Sequence, residues 1–370
     1  MASTRTALND TCGADQIRSR PSPSCQVCGS LGQPLYEGLR DRLFEAPGTW
    51  LLKRCVNPDC GLLWLDPRPL DEDIAKAYAG YYTHQREFEQ RRTLLRRIYQ
   101  LVKDSYLYCR YSYPRGSDIP FSWILGALMY LDPRRRADLD FSVFYLVSKQ
   151  QGLLLDVGCG GGSLLKGLHE LGWEGEGVDF DAKAVRNARS KGLRVHLGSL
   201  AEQQFATNTF DAVTMSHLIE HVSDPVALLR ECHRVLKPGA WLVIVTPNAN
   251  SWGHRLYGAN WRGLEPPRHL HIFAPRPLAN LLRETGFRNI CMSTTIRAAD
   301  FYFIASRSLQ RTGRHEMGQT EPRTVRFWGR AMQAIEWVWL KLDPKVGEEI
   351  VAVAQKIETT MTSKEDGTSG

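Results

Sequence analysis

Apolar and polar positions change period several times along this chain, and the changes divide it. At Leu153 a run of three leucines meets Asp156-Val157-Gly158-Cys159-Gly160-Gly161-Gly162, a helix-like stretch follows, and a second apolar segment closes at Asp179. Short apolar runs bounded by glycine or acid read as buried strands, and helical spacing between them reads as crossovers. The pattern repeats, with strands expected over 194–199, 210–217, 241–246 and 287–296, a helix over 280–286, and Val/Ala alternation at 349–356 as a seventh strand. Strands alternating with helices predict an α/β, doubly wound parallel sheet spanning 151–358. Two amphipathic stretches, 301–311 and 325–342, interrupt it as a helical insertion (300–344) before the last strand. Upstream, 70–150 repeats at helical spacing and is expected to form a helical cap or linker.

The ends differ in composition. Residues 1–22, polar and broken by Pro21, and 359–370 are expected to be disordered. With no apolar leader, no run long enough to span a bilayer and nine cysteines, the chain reads as a soluble cytoplasmic protein with free or metal-bound thiols. A net charge of +7, from 47 basic and 40 acidic residues, permits an anionic partner but argues against a nucleic-acid binder. Arginines 91, 92, 96, 97 and 134–136 suit a solvated helix face or an anionic docking face. The Trp- and Arg-rich stretch 325–342 packs on the domain or lies on a membrane surface.

Three groups of residues carry candidate chemistry. Cys25-x-x-Cys28 and Cys55-x4-Cys60, each followed by glycine, have the spacing of a zinc ribbon or rubredoxin-like knuckle over 23–69. Four thiolates complete a tetrahedral Zn²⁺ shell, so this zinc is expected to be structural. Glycines 158, 160 and 162 open a turn toward a helix N-terminus, and Asp179 ends the next strand where a carboxylate can accept from ribose hydroxyls. Ser163 departs from the dinucleotide fingerprint, and Asp156 at the turn disfavours a pyrophosphate while suiting a cation with a free amino group. A nucleoside sulfonium, S-adenosylmethionine, has that charge pattern.

The third group follows strand four. His217 falls on the ligand edge and is the expected general base, with Glu220 and His221 one turn on. With His269 or His271 from 251–273, a loop expected to wall the substrate pocket, these residues form a possible divalent-cation set. Tyr78, Tyr81 and Tyr82 suit either the core or a substrate mouth.

The segments LLLDVGCGGG (153–162), GVDFDAKAV (177–185) and RVLKPG (234–239) resemble, in order, motifs of the class I S-adenosylmethionine-dependent methyltransferases. The cysteine region is similar to that of some sugar C-methyltransferases. The resemblance implies a Rossmann-like seven-stranded sheet with an N-terminal zinc module. It also implies S-adenosylmethionine against Asp156, Gly158, Gly160, Gly162, Asp179, Phe180, Ser199, Leu200 and Ser216, and methylation of oxygen or carbon of a small molecule such as a sugar, lipid-linked glycan or secondary metabolite. An RNA or protein acceptor docked by the zinc ribbon is the alternative, and a non-catalytic binding module the next.

Overall fold

The computed structural model describes residues 16–78, 94–318 and 320–357. The expected disorder of 1–15 and 359–370, and the positions of Tyr81, Tyr82, Arg91 and Arg92, lie outside them. Short strands open the chain: β1 (Ser19–Arg20), β2 (Gly32–Leu39), β3 (Trp50–Cys55), β4 (Leu63–Leu65) and β5 (Arg68–Pro69), then a 3-10 turn at Asp71–Tyr78. Helices α1 (Leu94–Tyr111), α2 (Ser122–Ala127) and α3 (Pro133–Ser142) come next. The alternating part runs β6 (Leu153–Val157), α4 (Ser163–Glu170), β7 (Glu174–Asp179), α5 (Ala182–Ser190), β8 (Val195–Leu197), β9 (Phe210–Ser216), α6 (Pro225–Val235) and β10 (Leu236–Pro247). It continues as α7 (Trp252–Tyr257), β11 (His271–Ile272), α8 (Pro275–Glu284), β12 (Arg288–Thr295), α9 (Ala299–Thr312), α10 (Arg323–Leu342) and β13 (Glu349–Gln355).

Seven strands form one sheet in the order β12-β13-β10-β9-β6-β7-β8. Every pairing is parallel except those of β13, which runs antiparallel to β10 and β12. A parallel β13 would need another crossover; the α9–α10 insertion instead returns the chain at the opposite edge. Strand order reverses between β6 and β9, and the crevice beyond their carboxyl ends is where open α/β sheets bind ligands.

Both sheet faces are covered. Leu155, Val157, Val213 and Ile244 pack with Leu229, Leu278 and Phe287 on one side, and Leu154, Ala212 and Val243 pack with Tyr106, Tyr113 and Leu139 on the other. The helices of 94–150 thus plate a sheet face rather than cap the pocket. Tyr106, Tyr111 and Tyr113 are core, and the Tyr106 and Tyr111 hydroxyls donate to buried Asp140.

The cysteine module is not the separate 23–69 unit expected from the cysteine spacing. Its antiparallel sheet has the order β11-β4-β3-β2, so its last strand comes from the loop after β10. Cys25, Cys55, Cys60, Leu62 and Trp64 belong to the same apolar cluster as one face of the large sheet. Order begins before Cys25 as well, since Ser19 and Arg20 pair with Pro69 and Arg68 and the Arg18 guanidinium donates to Asp73.

Candidate functional site

Beyond β6 and β9 lies a cavity of about 520 Å³ lined by Gly158, Gly160, Asp179, Phe180, Ala182, Lys183, Ser216, His217, Leu218, His221, Ala75 and Tyr78 among others. Gly160 adopts φ +52° with nothing within 4 Å of a would-be Cβ, so its main chain is bare toward the ligand space. Its N–H donates to Asp179 Oδ2 at 2.7 Å, and the Asp181 N–H donates to Oδ1 at 2.8 Å. The carboxylate is thereby fixed across the turn with one lone pair left on each oxygen, the arrangement two vicinal hydroxyls need. Burial raises the Asp179 pKa, and the backbone donors oppose it. Phe180 and Tyr78 meet edge to face at the rim, with centroids 5.6 Å apart.

Other expected ligand contacts fall elsewhere. Gly162, at φ +75°, is needed for packing, because a Cβ there would stand 2.3 Å from Leu193. Leu200 is buried in the core, and Ser199 is engaged in a turn in which its N–H donates to Glu202. Asp156 is not at the mouth of the turn: it is buried beneath it, accepting from the Thr214 hydroxyl at 2.9 Å. The cause is register, because Asp156 lies within β6 between Gly177 and Thr214.

Burial pushes the Asp156 pKa from an ordinary 3.8 to about 7, with the Thr214 bond opposing and the Asp179 charge adding. The folded chain therefore holds this proton where the unfolded chain has lost it, and Asp156 subtracts stability progressively as pH rises from 3.8 to about 7. Asp156→Asn is expected to flatten the fall of melting temperature across that window, measured without ligand; an unchanged slope would exclude this titration.

His217 lines the cavity at φ +50°. Its Nε2 is 3.0 Å from Glu349 Oε1 and its Nδ1 3.3 Å from Glu220 Oε1. Burial pulls its pKa down, but the hydrogen bonds and charges of Glu220 and Glu349 overcome this and raise it to about 9. The expected general base is thus held in its acid form at neutral pH, with both ring nitrogens occupied. Arg297 Nη1 donates to both Glu349 oxygens at 3.1 Å. Neither Glu349 nor Arg297 was singled out in the sequence, though paired acids at the head of a Val/Ala strand on the ligand edge were the available signal.

Glu220, His221 and His269 converge, with one donor atom from each within 4.8 Å of the others. The His221 Nδ1 lies 3.0 Å from the Arg268 carbonyl and the His269 Nδ1 2.7 Å from the Gly263 carbonyl. Donation of Nδ1–H to those carbonyls leaves both Nε2 lone pairs facing the centre, as second-shell carbonyls do for metal-bound histidines. Burial lowers the His269 pKa to about 4, so the ring is neutral. Glu220 Oε2 accepts from Thr246, while buried Oε1 faces His217 Nδ1 at 3.3 Å. His271, the alternative fourth ligand, lies in β11 instead.

The four cysteine sulfurs also converge within 4.8 Å. Cys25–Cys60 and Cys28–Cys55 are 3.6 and 3.3 Å apart, near the roughly 3.8 Å edge of a tetrahedron with 2.3 Å Zn–S bonds. Each pair spans the two knuckles, the crossing a four-thiolate shell requires. These cysteines fit structural zinc.

Residues 133–292 match a family model described as a methyltransferase domain. Similar curated proteins include the ubiquinone biosynthesis O-methyltransferases of Thiobacillus denitrificans (34% identical, over 36% of this chain and 63% of that protein) and Albidiferax ferrireducens (30% identical, over 47% and 66%). The chain therefore spans just under two thirds of these relatives' length. A solved SAM-dependent methyltransferase from Archaeoglobus fulgidus aligns over 63% of this chain and 99% of its own at 20% identity and a TM-score of 0.41. With seven strands in this order, an antiparallel last strand and a glycine turn facing an acid at the end of the second parallel strand, the chain carries a class I S-adenosylmethionine-dependent methyltransferase domain.

Proposed function

We propose that this protein transfers the methyl group of S-adenosylmethionine to an oxygen of a small-molecule acceptor. The observation that carries the reading is one cavity lined both by the Gly160–Asp179 cradle and by His217, Leu218, His221 and Tyr78. Such a lining supports an acceptor held beside the cofactor's methyl. The acceptor oxygen attacks the methyl carbon in line, the carbon–sulfur bond breaks toward sulfur, and S-adenosylhomocysteine leaves as the acceptor sheds its proton. Asp179 fixes the ribose, the bare turn admits the amino-acid tail, and the Tyr78–Phe180 edge shields the site from water.

Glu220, His221 and His269 fit a divalent ion, which, when bound, would polarise an acceptor hydroxyl and ease loss of its proton. His217 then serves as a charged positioning group whose donors face Glu220 and Glu349. The relatives' O-methyltransferase names favour oxygen over carbon. Against a macromolecular acceptor, the cysteine module is built into the core and its sheet is closed by β11, so among the described residues it forms no separate docking appendage.

Incubation of cell extract with protein and methyl-labelled cofactor is expected to place label in the low-molecular-weight or organic-soluble fraction. Label in precipitated RNA or protein would overturn the small-molecule reading. Metal analysis separates the two metal sites: Cys55→Ser is expected to lose the zinc of the thiolate cluster, and His269→Ala to keep that zinc while losing any second ion. Equal metal content in wild type and His269→Ala would remove the second site.

A further inference from the structure

Helix α10 is apolar on two sides. Trp328, Met332, Trp337 and Leu340 pack on the domain, with Gln333 and the helix's single acid, Glu336, buried beside them, and Gln333 Nε2 donates to the Ile296 carbonyl at 2.8 Å. Its outward side carries Phe327 (76% exposed), Ala331, Ala334, Ile335, Val338, Trp339 and Leu342 (77% exposed). This apolar stripe runs from Phe327 to Leu342, about 22 Å at 1.5 Å per residue. Every charged side chain exposed on the helix is basic: Arg323, Arg326, Arg330 and Lys341.

A second apolar ridge lies across a cleft. The cleft, about 380 Å³, is lined by Asp132, Pro133, Arg134 and Arg135 on one side and by Arg330, Gln333 and Ala334 on the other. Immediately before it in the chain, Phe121, Trp123 (69% exposed), Ile124, Leu128 and Leu131 (81% exposed) face outward. Asp132 is the one acid in the cleft, and Arg135 covers it at 3.3 Å. Two ridges of large apolar side chains thus flank a groove of arginines.

We propose that this face docks the protein on an anionic lipid bilayer, with the ridges entering the headgroup–acyl boundary and Arg134, Arg135, Arg326 and Arg330 meeting lipid phosphates. Charge complementarity selects this occupant. A second copy packed by two-fold symmetry would set these arginines against their own kind, whereas an anionic leaflet attracts each of them. Tryptophan, phenylalanine and leucine on one side with basic residues alongside is the composition of helices that lie in the interface. Among the described residues no helix is long and apolar enough to cross a membrane, so α10 rests in the surface rather than spans it. The inference stands on this face alone and does not depend on the methyl acceptor.

Co-sedimentation of the full chain with vesicles tests it. Binding is expected to phosphatidylcholine vesicles containing one third phosphatidylglycerol, not to phosphatidylcholine alone, and to weaken as salt rises. Arg326→Glu with Arg330→Glu is expected to lower the partition coefficient about twentyfold or more, at about fivefold per arginine lost. Phe327→Ser with Leu342→Ser is expected to lower it comparably while the melting temperature stays that of wild type, since these side chains are exposed. Equal recovery with neutral and anionic vesicles, or full binding by the serine pair, would overturn the proposal. So would a wild-type dimer that the serine pair converts to monomer, because the face would then belong to a second copy.

Discussion

Asp179→Asn protein is expected to bind S-adenosylhomocysteine at least about 100-fold more weakly than wild type, with unchanged zinc content. Two effects add. The carboxylate loses its charge-assisted bonds to the ribose hydroxyls, each contributing about 1.5–3 kcal/mol. The amide also presents one oxygen and one N–H₂ to two backbone donors, Gly160 N–H and Asp181 N–H, and so must leave one facing another donor. The glycine turn is then loosened at the point where the cofactor meets the main chain. Titration calorimetry decides: an affinity within threefold of wild type would mean that the nucleoside does not sit on this carboxylate, and the proposed activity would fall with it.

Arg268→Met is expected to destabilise the protein by about 3–5 kcal/mol in chemical denaturation, the typical loss when one partner of a buried ion pair is removed. The guanidinium is fully buried, holds Asp41 through two bonds of 2.8 and 3.0 Å, reaches Glu265 Oε1 at 2.9 Å and the Ala77 carbonyl at 2.9 Å, and stacks on Phe44 at 4.4 Å. One side chain therefore ties the zinc module, the pocket-wall loop and the Asp71–Tyr78 turn together. Without it buried Asp41 keeps only the backbone donors Leu43, Phe44 and Ala46, and buried Glu265 keeps Arg262 as its one cationic hydrogen-bond partner among the described residues. Adding Asp41→Asn to Arg268→Met is expected to restore part of the loss. Arg268→Lys is expected to recover less than a charge count suggests, because an ammonium cannot satisfy the two-toothed contact. A stability within 1 kcal/mol of wild type for Arg268→Met would contradict this account.

The parts of the fold that were legible in the sequence are those governed by local rules. Glycine and acid at fixed spacing announced the cradle, and apolar runs alternating with helical spacing announced the sheet, because these signals reside within one strand-turn-helix unit. Two cysteine pairs announced the convergence of four sulfurs for the same reason. Depth was not legible. Asp156 and Ser199 lie in the expected motifs, yet register puts one under the turn and a competing bond to Glu202 engages the other.

Partnerships across the chain were equally hidden. The Tyr78 hydroxyl meets His221 from 143 residues away, and Arg268 meets Asp41 from 227. Nothing in either local pattern names its partner. In α10 the amphipathic period was visible, but its division was not: Trp328, Met332, Trp337 and Leu340 pack inward while Phe327, Ile335, Val338, Trp339 and Leu342 stay exposed, and only the fold separates the two sets.

The strand His271–Ile272 has a further consequence. It closes the cysteine sheet on Trp64 and Leu63, and immediately upstream the Leu270 and His271 amides hold the Glu220 carbonyl at 2.8 and 3.1 Å. The four-cysteine site and the floor of the crevice are thus one mechanical unit. With zinc held there, a chelator would loosen that floor and lower the proposed activity through the scaffold, even where no zinc touches the reacting groups.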